Sequence, residues 1–289
     1  MNDVCRLTGR FLFFALIALA GNPAAAQTTP PPPSTGSRCI ALANAAPNVT
    51  YVSLQNTALA KPEVGINFIG HATFRIETSG GVVITTDYTG YAGQGRLPDV
   101  VTMNHAHTSH YTAFPDPKIR YVLRGWGTEG KPARYNFTVG DVLIRNVTTD
   151  IRGWGGLSRD DIREKDGNSI FIFEVADLCI GHLGHLHHKL GPEYLGLIGQ
   201  LDVVMVPVDG AYTMEQASMV EVLKLLKARL ILPMHYFNQF TLARFLSQMG
   251  ETFDVEVSNK SSIVDSAATL PQSPKILTLR GYEFISTDP

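Results

Sequence analysis

The sequence predicts an α/β sandwich, two sheets with helices on their outer faces, and three observations carry that reading. Short β-type apolar runs follow one another quickly from Val64, and the pattern changes to alternating helix and strand beyond His188. The third observation is that all nine histidines lie between His71 and His235. Seven of them fall in two runs, Asn104-His-Ala-His-Thr-Ser-His110 and Gly181-His-Leu-Gly-His-Leu-His-His188, just after predicted strands. Imidazole is the commonest protein ligand for zinc-like ions, so such clusters point to a metal site.

The elements follow in order. Val64 to Ile69, Thr73 to Thr78, Val82 to Thr86 and Val100 to Met103 read as an opening β-meander, with Ser79-Gly80-Gly81 as a hairpin turn. Ile119 to Leu123, Val142 to Val147, Ser169 to Val175 and the stretch ending at Ile180 continue the strands. Thr213 and Gln216 have capping-box spacing ahead of a helix through Val220, Leu223 and Leu226, and Leu230 to Leu232 is a short buried strand ending at Pro233. Leu242 to Met249 and Val255 to Val257 form a further helix and strand.

The ends and the composition set the frame. Arg6 and Arg10 precede the apolar run Phe11 to Ala20, and Ala24-Ala25-Ala26 supplies small residues before Gln27, so residues 1–26 read as a cleaved secretory signal. A membrane span needs roughly twenty apolar residues and this run has about ten, which argues against a retained anchor. The expected compartment is periplasmic or extracellular. Residues 27–50, with four consecutive prolines, read as a polyproline-like tether, and residues 51–289 as one catalytic domain. With Cys5 in the signal, Cys39 and Cys179 remain, and two readings stand: a disulfide permitted by an oxidising compartment, or a buried free thiol at Cys179. Lys and Arg total 24 against 26 Asp and Glu with no basic block, which argues against nucleic acid as partner and leaves a small-molecule substrate.

The histidines have structural addresses. His105 and His107 lie two apart after the strand ending at Met103, so extended backbone sends both imidazoles to one side. His110 follows a tighter turn, and His182 and His235 come just after later strands. Arg124-Gly-Trp126-Gly127 and Arg152-Gly-Trp154-Gly155 repeat one tetrapeptide holding both tryptophans. Either these loops meet a substrate or they staple onto the domain.

In Gly70-His71-Ala72-Thr73, Thr86-Asp87, His105-x-His107-x-x-His110, Gly181-His182-Leu-Gly184, the segment Pro207 to Met214, and Pro233-Met-His235-Tyr236, the chain resembles the metallo-β-lactamase superfamily. Within it, the resemblance is to the branch of ascorbate-phosphate lactonases and related metal-dependent hydrolases. It covers about Val64 to Val257 and implies the αββα sandwich with metals at the edge between the sheets. It implies His105, His107 and His182 as ligands of a first metal and His110 and His235 as ligands of a second. Asp87 would orient an imidazole, and His71 would border the pocket.

Two departures stand out: Ser109 and His185 occupy positions where the family pattern has aspartates. Without those anionic ligands the second site is expected to be weak or altered, with one tight zinc. His185 then serves as a nitrogen ligand, or as a catalytic group supporting the ligands. Ser109 is expected to hydrogen-bond, Asp209 is the nearest substitute carboxylate, and Tyr236 is a candidate to assist the leaving group or oxyanion. His187 and His188 read as surface residues. The implied activity is hydrolysis by a metal-activated water, with lactone or cyclic ester first, phosphodiester second and β-lactam third. The rival reading is a degenerate member that binds metal or ligand without efficient hydrolysis.

Overall fold

The computed structural model describes residues 36–43, 62–152, 162–250 and 252–281. The proposed signal, residues 1–26, and Trp154 lie outside the described residues.

Among the described residues, fourteen strands and four helices follow in chain order: α1 (Arg38–Ala43), β1 (Val64–Gly70), β2 (Thr73–Thr78), β3 (Val83–Thr85), β4 (Val100–Met103), β5 (Tyr121–Arg124), β6 (Asn136–Val139), β7 (Val142–Arg152), β8 (Ile162–Val175), β9 (Leu178–His182), α2 (Pro192–Ile198), β10 (Val203–Pro207), α3 (Gln216–Leu226), β11 (Leu230–Met234), α4 (Gln239–Met249), β12 (Asp254–Val257), β13 (Ser262–Asp265) and β14 (Lys275–Thr278). They build two sheets, one of six strands in the order β13-β1-β2-β3-β4-β5 and one of eight in the order β12-β14-β11-β10-β9-β8-β7-β6. The apolar faces meet in one large core, with Phe68, Phe74, Ile76 and Ile84 from the first sheet and Ile144, Phe171, Phe173 and Ile180 from the second all buried. This is the predicted α/β sandwich.

Direction matters more to the site than strand count. β3, β4 and β5 run parallel, and so do β9, β10, β11, β14 and β12. The helices α2 and α3 provide the return connections between β9, β10 and β11, as parallel pairing requires. The predicted apolar strands appear with small shifts: the Ile119 to Leu123 run becomes β5, and β7 and β8 extend well past their apolar centres as a long antiparallel pair.

Two expectations are corrected here. The capping box does not form: α3 begins at Gln216 with Glu215 before it and no side-chain cap, because the Thr213 hydroxyl donates to Asp209 instead. Residues 36–43 are not tether. Arg38–Ala43 is a helical turn docked on the eight-stranded sheet, where the Glu174 carboxylate accepts from Ser37 Oγ (2.6 Å), Arg38 N (2.8 Å) and Arg145 Nε (2.7 Å). Burial works to raise the Glu174 pKa, and the hydrogen bonds from Arg145 and Ser37 more than offset it, holding the carboxyl below its ordinary range. Cys39 and Cys179 form a disulfide, which resolves the two cysteine readings in favour of pairing.

That bond closes a loop across a sequence separation of 140 residues, so it constrains the unfolded chain strongly. Replacing both Cys39 and Cys179 by Ala should lower unfolding stability by about 3–5 kcal/mol, read by chemical denaturation. A loss below about 1 kcal/mol would show that the N-terminal turn is held by Glu174 alone.

Candidate metal centre

Every strand that feeds the site delivers its residues from its C-terminal end. His71 follows β1, Asp87 follows β3, and His105, His107 and His110 follow β4, while the other sheet supplies His182 as the last residue of β9, His185 just beyond it, Asp209 after β10 and His235 after β11. The site therefore forms along one edge where both sheets present loops, the usual place for a ligand in such architectures. Three non-glycine residues there have left-handed backbone, His71 (φ 50°), Asp87 (φ 49°) and His235 (φ 53°). Each costs on the order of 1 kcal/mol or more, and such strain gathers where geometry serves function.

Two buried carboxylates set the orientation of the imidazoles. Asp87 accepts a hydrogen bond from His110 Nδ1 through Oδ2 and one from the Asn104 amide (3.1 Å) through Oδ1. Asp209 accepts from His235 Nδ1 (3.1 Å), from the Thr213 hydroxyl and from three successive backbone amides, Ala211 to Thr213. Burial pushes Asp87 up to about 6. Burial acts the same way on Asp209, but the bonds from His235 and Thr213 prevail and hold it well below the carboxylate range. With Nδ1 protonated toward a carboxylate, each ring has a bare lone pair on Nε2.

Those lone pairs converge. His110 Nε2 and His235 Nε2 lie 3.1 Å apart, so that with both Nδ1 protons turned to carboxylates two acceptors face each other. His71 Nε2 is buried with no hydrogen-bond partner, and its ring centroid is 4.2 Å from that of His235 and 5.3 Å from that of His110. Among the described residues, His71, His110 and His235 are the one trio whose ligand atoms all lie within 4.8 Å of one another. Burial first, then repulsion from His235 and His110, pushes His71 down to about 3, and burial pushes His110 well below its ordinary value. His71 and His110 are therefore neutral at physiological pH. Neutral, oriented nitrogens with an orphaned buried lone pair fit a borderline divalent cation such as zinc.

The remaining predicted residues divide. His105 donates from Nδ1 to the Gly167 carbonyl (2.8 Å), and His107 pairs with Ser109 Oγ through Nδ1 (2.9 Å), so both can offer Nε2. Their rings stack at 6.3 Å. His185 sits between the groups, 4.6 Å from the His110 ring, 5.1 Å from His235 and 5.2 Å from His105, and its Nδ1 meets His187 Nε2 at 2.6 Å. Burial, with the neighbouring His110 and His235, depresses its pKa strongly.

His182 is placed differently from the ligand role that the resemblance implies. Its Nδ1 accepts from Asn104 Nδ2 (3.1 Å) and the Gly184 amide (3.1 Å), and its Nε2 donates to the Ala72 carbonyl (2.8 Å). Both nitrogens are spent joining the sheets. Of the expected first-metal trio, His182 thus has both nitrogens engaged, while the expected second-metal pair gains His71 and is the compact group.

Asp209 is a positioning carboxylate, because His235 and the loop amides take up its oxygens. Tyr236 is buried in the core beside Phe68, since the left-handed turn at His235 sends Tyr236 inward and brings Phe237 to the cavity. Trp126 packs edge-on against Tyr111 (5.4 Å) in a satellite cluster with Met103 and Ile119, and Arg124 is exposed on β5. Arg152 clamps the carbonyls of Ala211 (3.1 Å) and Thr213 (2.8 Å). Of the two tetrapeptide readings, Trp126 and Arg152 follow the staple, while the exposed Arg124 follows neither. His187 is buried and lines the cavity, contrary to its surface reading.

Sequence reasoning missed Asn104 and Asn168. Asn104 ties Asp87, His182 and Ser169 together, and Asn168 accepts the His185 amide (2.7 Å) while donating to Thr149 and Leu183. The signal was Gly184, whose φ of +59° accompanies an approach so close that an added Cβ would stand 2.4 Å from Asn168 Oδ1 and 2.6 Å from Asn104 Nδ2. The cavity over this centre has a volume of about 450 Å³.

A family model described as "Beta-lactamase superfamily domain" matches residues 65–235. A UPF0173 metal-dependent hydrolase of Thermococcus onnurineus is 26% identical over 224 residues, covering 70% of this chain and 99% of the relative, and one of Pyrococcus horikoshii is 28% identical over 192 residues, covering 60% and 84%. Among solved structures, a Thermotoga maritima protein described as a candidate Zn-dependent hydrolase of the metallo-β-lactamase superfamily aligns with TM-score 0.52 and 28% identity, covering 75% of this chain and 98% of that one. A Parabacteroides distasonis protein at 16% identity and TM-score 0.51, covering 66% and 90%, shares the fold. With the family model spanning more than half of its length and the two-sheet edge carrying the histidines, this chain belongs to the metallo-β-lactamase superfamily.

Proposed function

We propose that this chain is an exported metal-dependent hydrolase that opens a neutral lactone or related ester. The observation that carries the reading is the convergence of His71, His110 and His235 on one point, with His235 opening it to the cavity. The relatives above are named metal-dependent hydrolases, in agreement with it.

The three Nε2 atoms would hold the ion, and Asp87 and Asp209 keep two of those rings turned toward it. A divalent ion so held supplies Lewis acidity and lowers the pKa of water toward neutrality. His105 presents a nitrogen acceptor to the cavity, suited to take the hydrogen bond of an attacking water, and Ser109 steadies His107 beside it. In the overall reaction the water oxygen bonds to the acyl carbon, the ring C–O bond breaks and the departing oxygen takes a proton, leaving a hydroxy acid.

Charge favours the neutral ester over a phosphodiester. Among the described residues lining the cavity there is no Lys or Arg, and the one lining carboxylate is Glu164. Phosphoryl substrates are ordinarily met by such cations. Export is supported by the signal-like arrangement of residues 1–26 and by the Cys39–Cys179 disulfide, which an oxidising compartment sustains.

Metal analysis after mild chelation tests the ligands. His110→Ala and His235→Ala should each lose the tightly held zinc-like ion, whereas His182→Ala should keep it and lose thermal stability, since its bonds join the sheets. Full metal in both of the first two variants would remove the assignment. On a panel of γ-lactone, aryl ester, phosphodiester and β-lactam, turnover of the lactone or ester should exceed that of the phosphodiester by at least about a hundredfold. Tight metal with no turnover of any member would instead favour a binding protein.

A further inference from the structure

The cavity mouth carries two large aromatic rings that the reaction itself does not use. Phe237 and Tyr212 are 55% and 46% exposed, yet both line the cavity, and their rings meet edge to face at 5.3 Å. Phe237 lies over the metal trio, its centroid 5.4 Å from His235 and 5.7 Å from His71. Ile151 and Ala106 add further apolar lining. Large exposed rings beside a reactive centre leave apolar surface in water, a cost that an apolar ligand group removes.

These rings are not on slack loops. The Tyr212 amide donates to Asp209 Oδ2 (2.5 Å), the flanking amides of Ala211 and Thr213 donate to the same oxygen, and Arg152 holds the carbonyls of Ala211 and Thr213. Phe237 sits between His235, whose amide donates to the His71 carbonyl (2.6 Å), and Asn238, which caps α4 by accepting from the Thr241 amide (2.9 Å). Asp209 thus fixes a metal-facing imidazole and the Tyr212 loop with one carboxylate. The distance between the centre and the rim is set by the fold, as a specificity pocket requires.

We infer that Phe237 and Tyr212 form a subsite for an apolar tail on the substrate, so that the ester or lactone hydrolysed carries an alkyl or aryl substituent on the carbon bonded to its ester oxygen. This inference rests on the lactone or ester reading above. Each methylene sheltered by the two rings raises kcat/KM by up to about fourfold. A tail of several carbons in partial contact raises it by at least about tenfold.

The test compares γ-butyrolactone, γ-octalactone and γ-undecalactone as substrates of the metal-loaded protein, and of its Phe237→Ala and Tyr212→Ala variants. In parallel, binding of 3-alkylcyclopentanones of matching tail length, which lack the scissile oxygen, is followed by calorimetry. Wild type should favour the longest tail at least about tenfold in kcat/KM and in affinity, with the preference falling to within about threefold in Phe237→Ala while metal content stays unchanged. Tyr212→Ala should lower it likewise, and Tyr212→Phe, made as a control, should retain it. A flat series in wild type, or a preference that survives in Phe237→Ala, overturns the subsite. Tail-dependent binding that Phe237→Ala abolishes, without turnover of any lactone, sustains the subsite and overturns the lactone reading alone.

Discussion

Two buried carboxylates, one at the end of a strand in each sheet, hold the Nδ1 protons of two histidines and thereby aim their Nε2 lone pairs at each other. Asp87 comes from the six-stranded sheet and Asp209 from the eight-stranded one, so the His110–His235 approach exists only when the two sheets close correctly. Opposed lone pairs repel without a shared cation or proton, and the surrounding core is the source of the force that keeps them together. The same closure buries His71 Nε2 and leaves it without a partner. Folding and the readiness of the site for a cation are thus one event.

The consequences spread outward from those carboxylates. Asp87 also receives the Asn104 amide, and Asn104 fixes His182 and the Ser169 carbonyl, so a histidine suited to ligation becomes a strut between β9 and the β1–β2 turn. Asp209 also organises the loop from Ala211 to Thr213, and α4 reaches back through Arg244, which donates to Gln216 and to the Asp209 carbonyl. Left-handed backbone at His71, Asp87 and His235 is tolerated because each residue is clamped by these contacts. Cavity, rim and centre share one set of supports.

The sandwich was legible because its central strands are continuous apolar runs, and β4, β9 and β11 are buried along their whole length. β13 gave little signal, being a largely exposed edge strand, and β6 is short with mixed exposure, whereas β12 was read as Val255 to Val257 although it too is exposed. The histidine cluster was legible from spacing, but the division of labour within it was not. Whether an imidazole binds a cation or props a sheet depends on which groups meet its two nitrogens, and Ala72 and Asn104 meet those of His182 from distant parts of the chain. Tyr236 leaves its expected place at the cavity to Phe237 for a local reason, the positive φ at His235, that side-chain alternation along a strand does not anticipate.

Where the ion sits decides between the two histidine groups. Crystals of the full chain grown with one equivalent of zinc, with data collected at the zinc absorption edge, would locate it by anomalous scattering. The account predicts the principal peak among the Nε2 atoms of His71, His110 and His235, at about 2.0–2.1 Å from each. A principal peak bounded by His105, His107 and His182, with His182 released from Ala72 and Asn104, would contradict it.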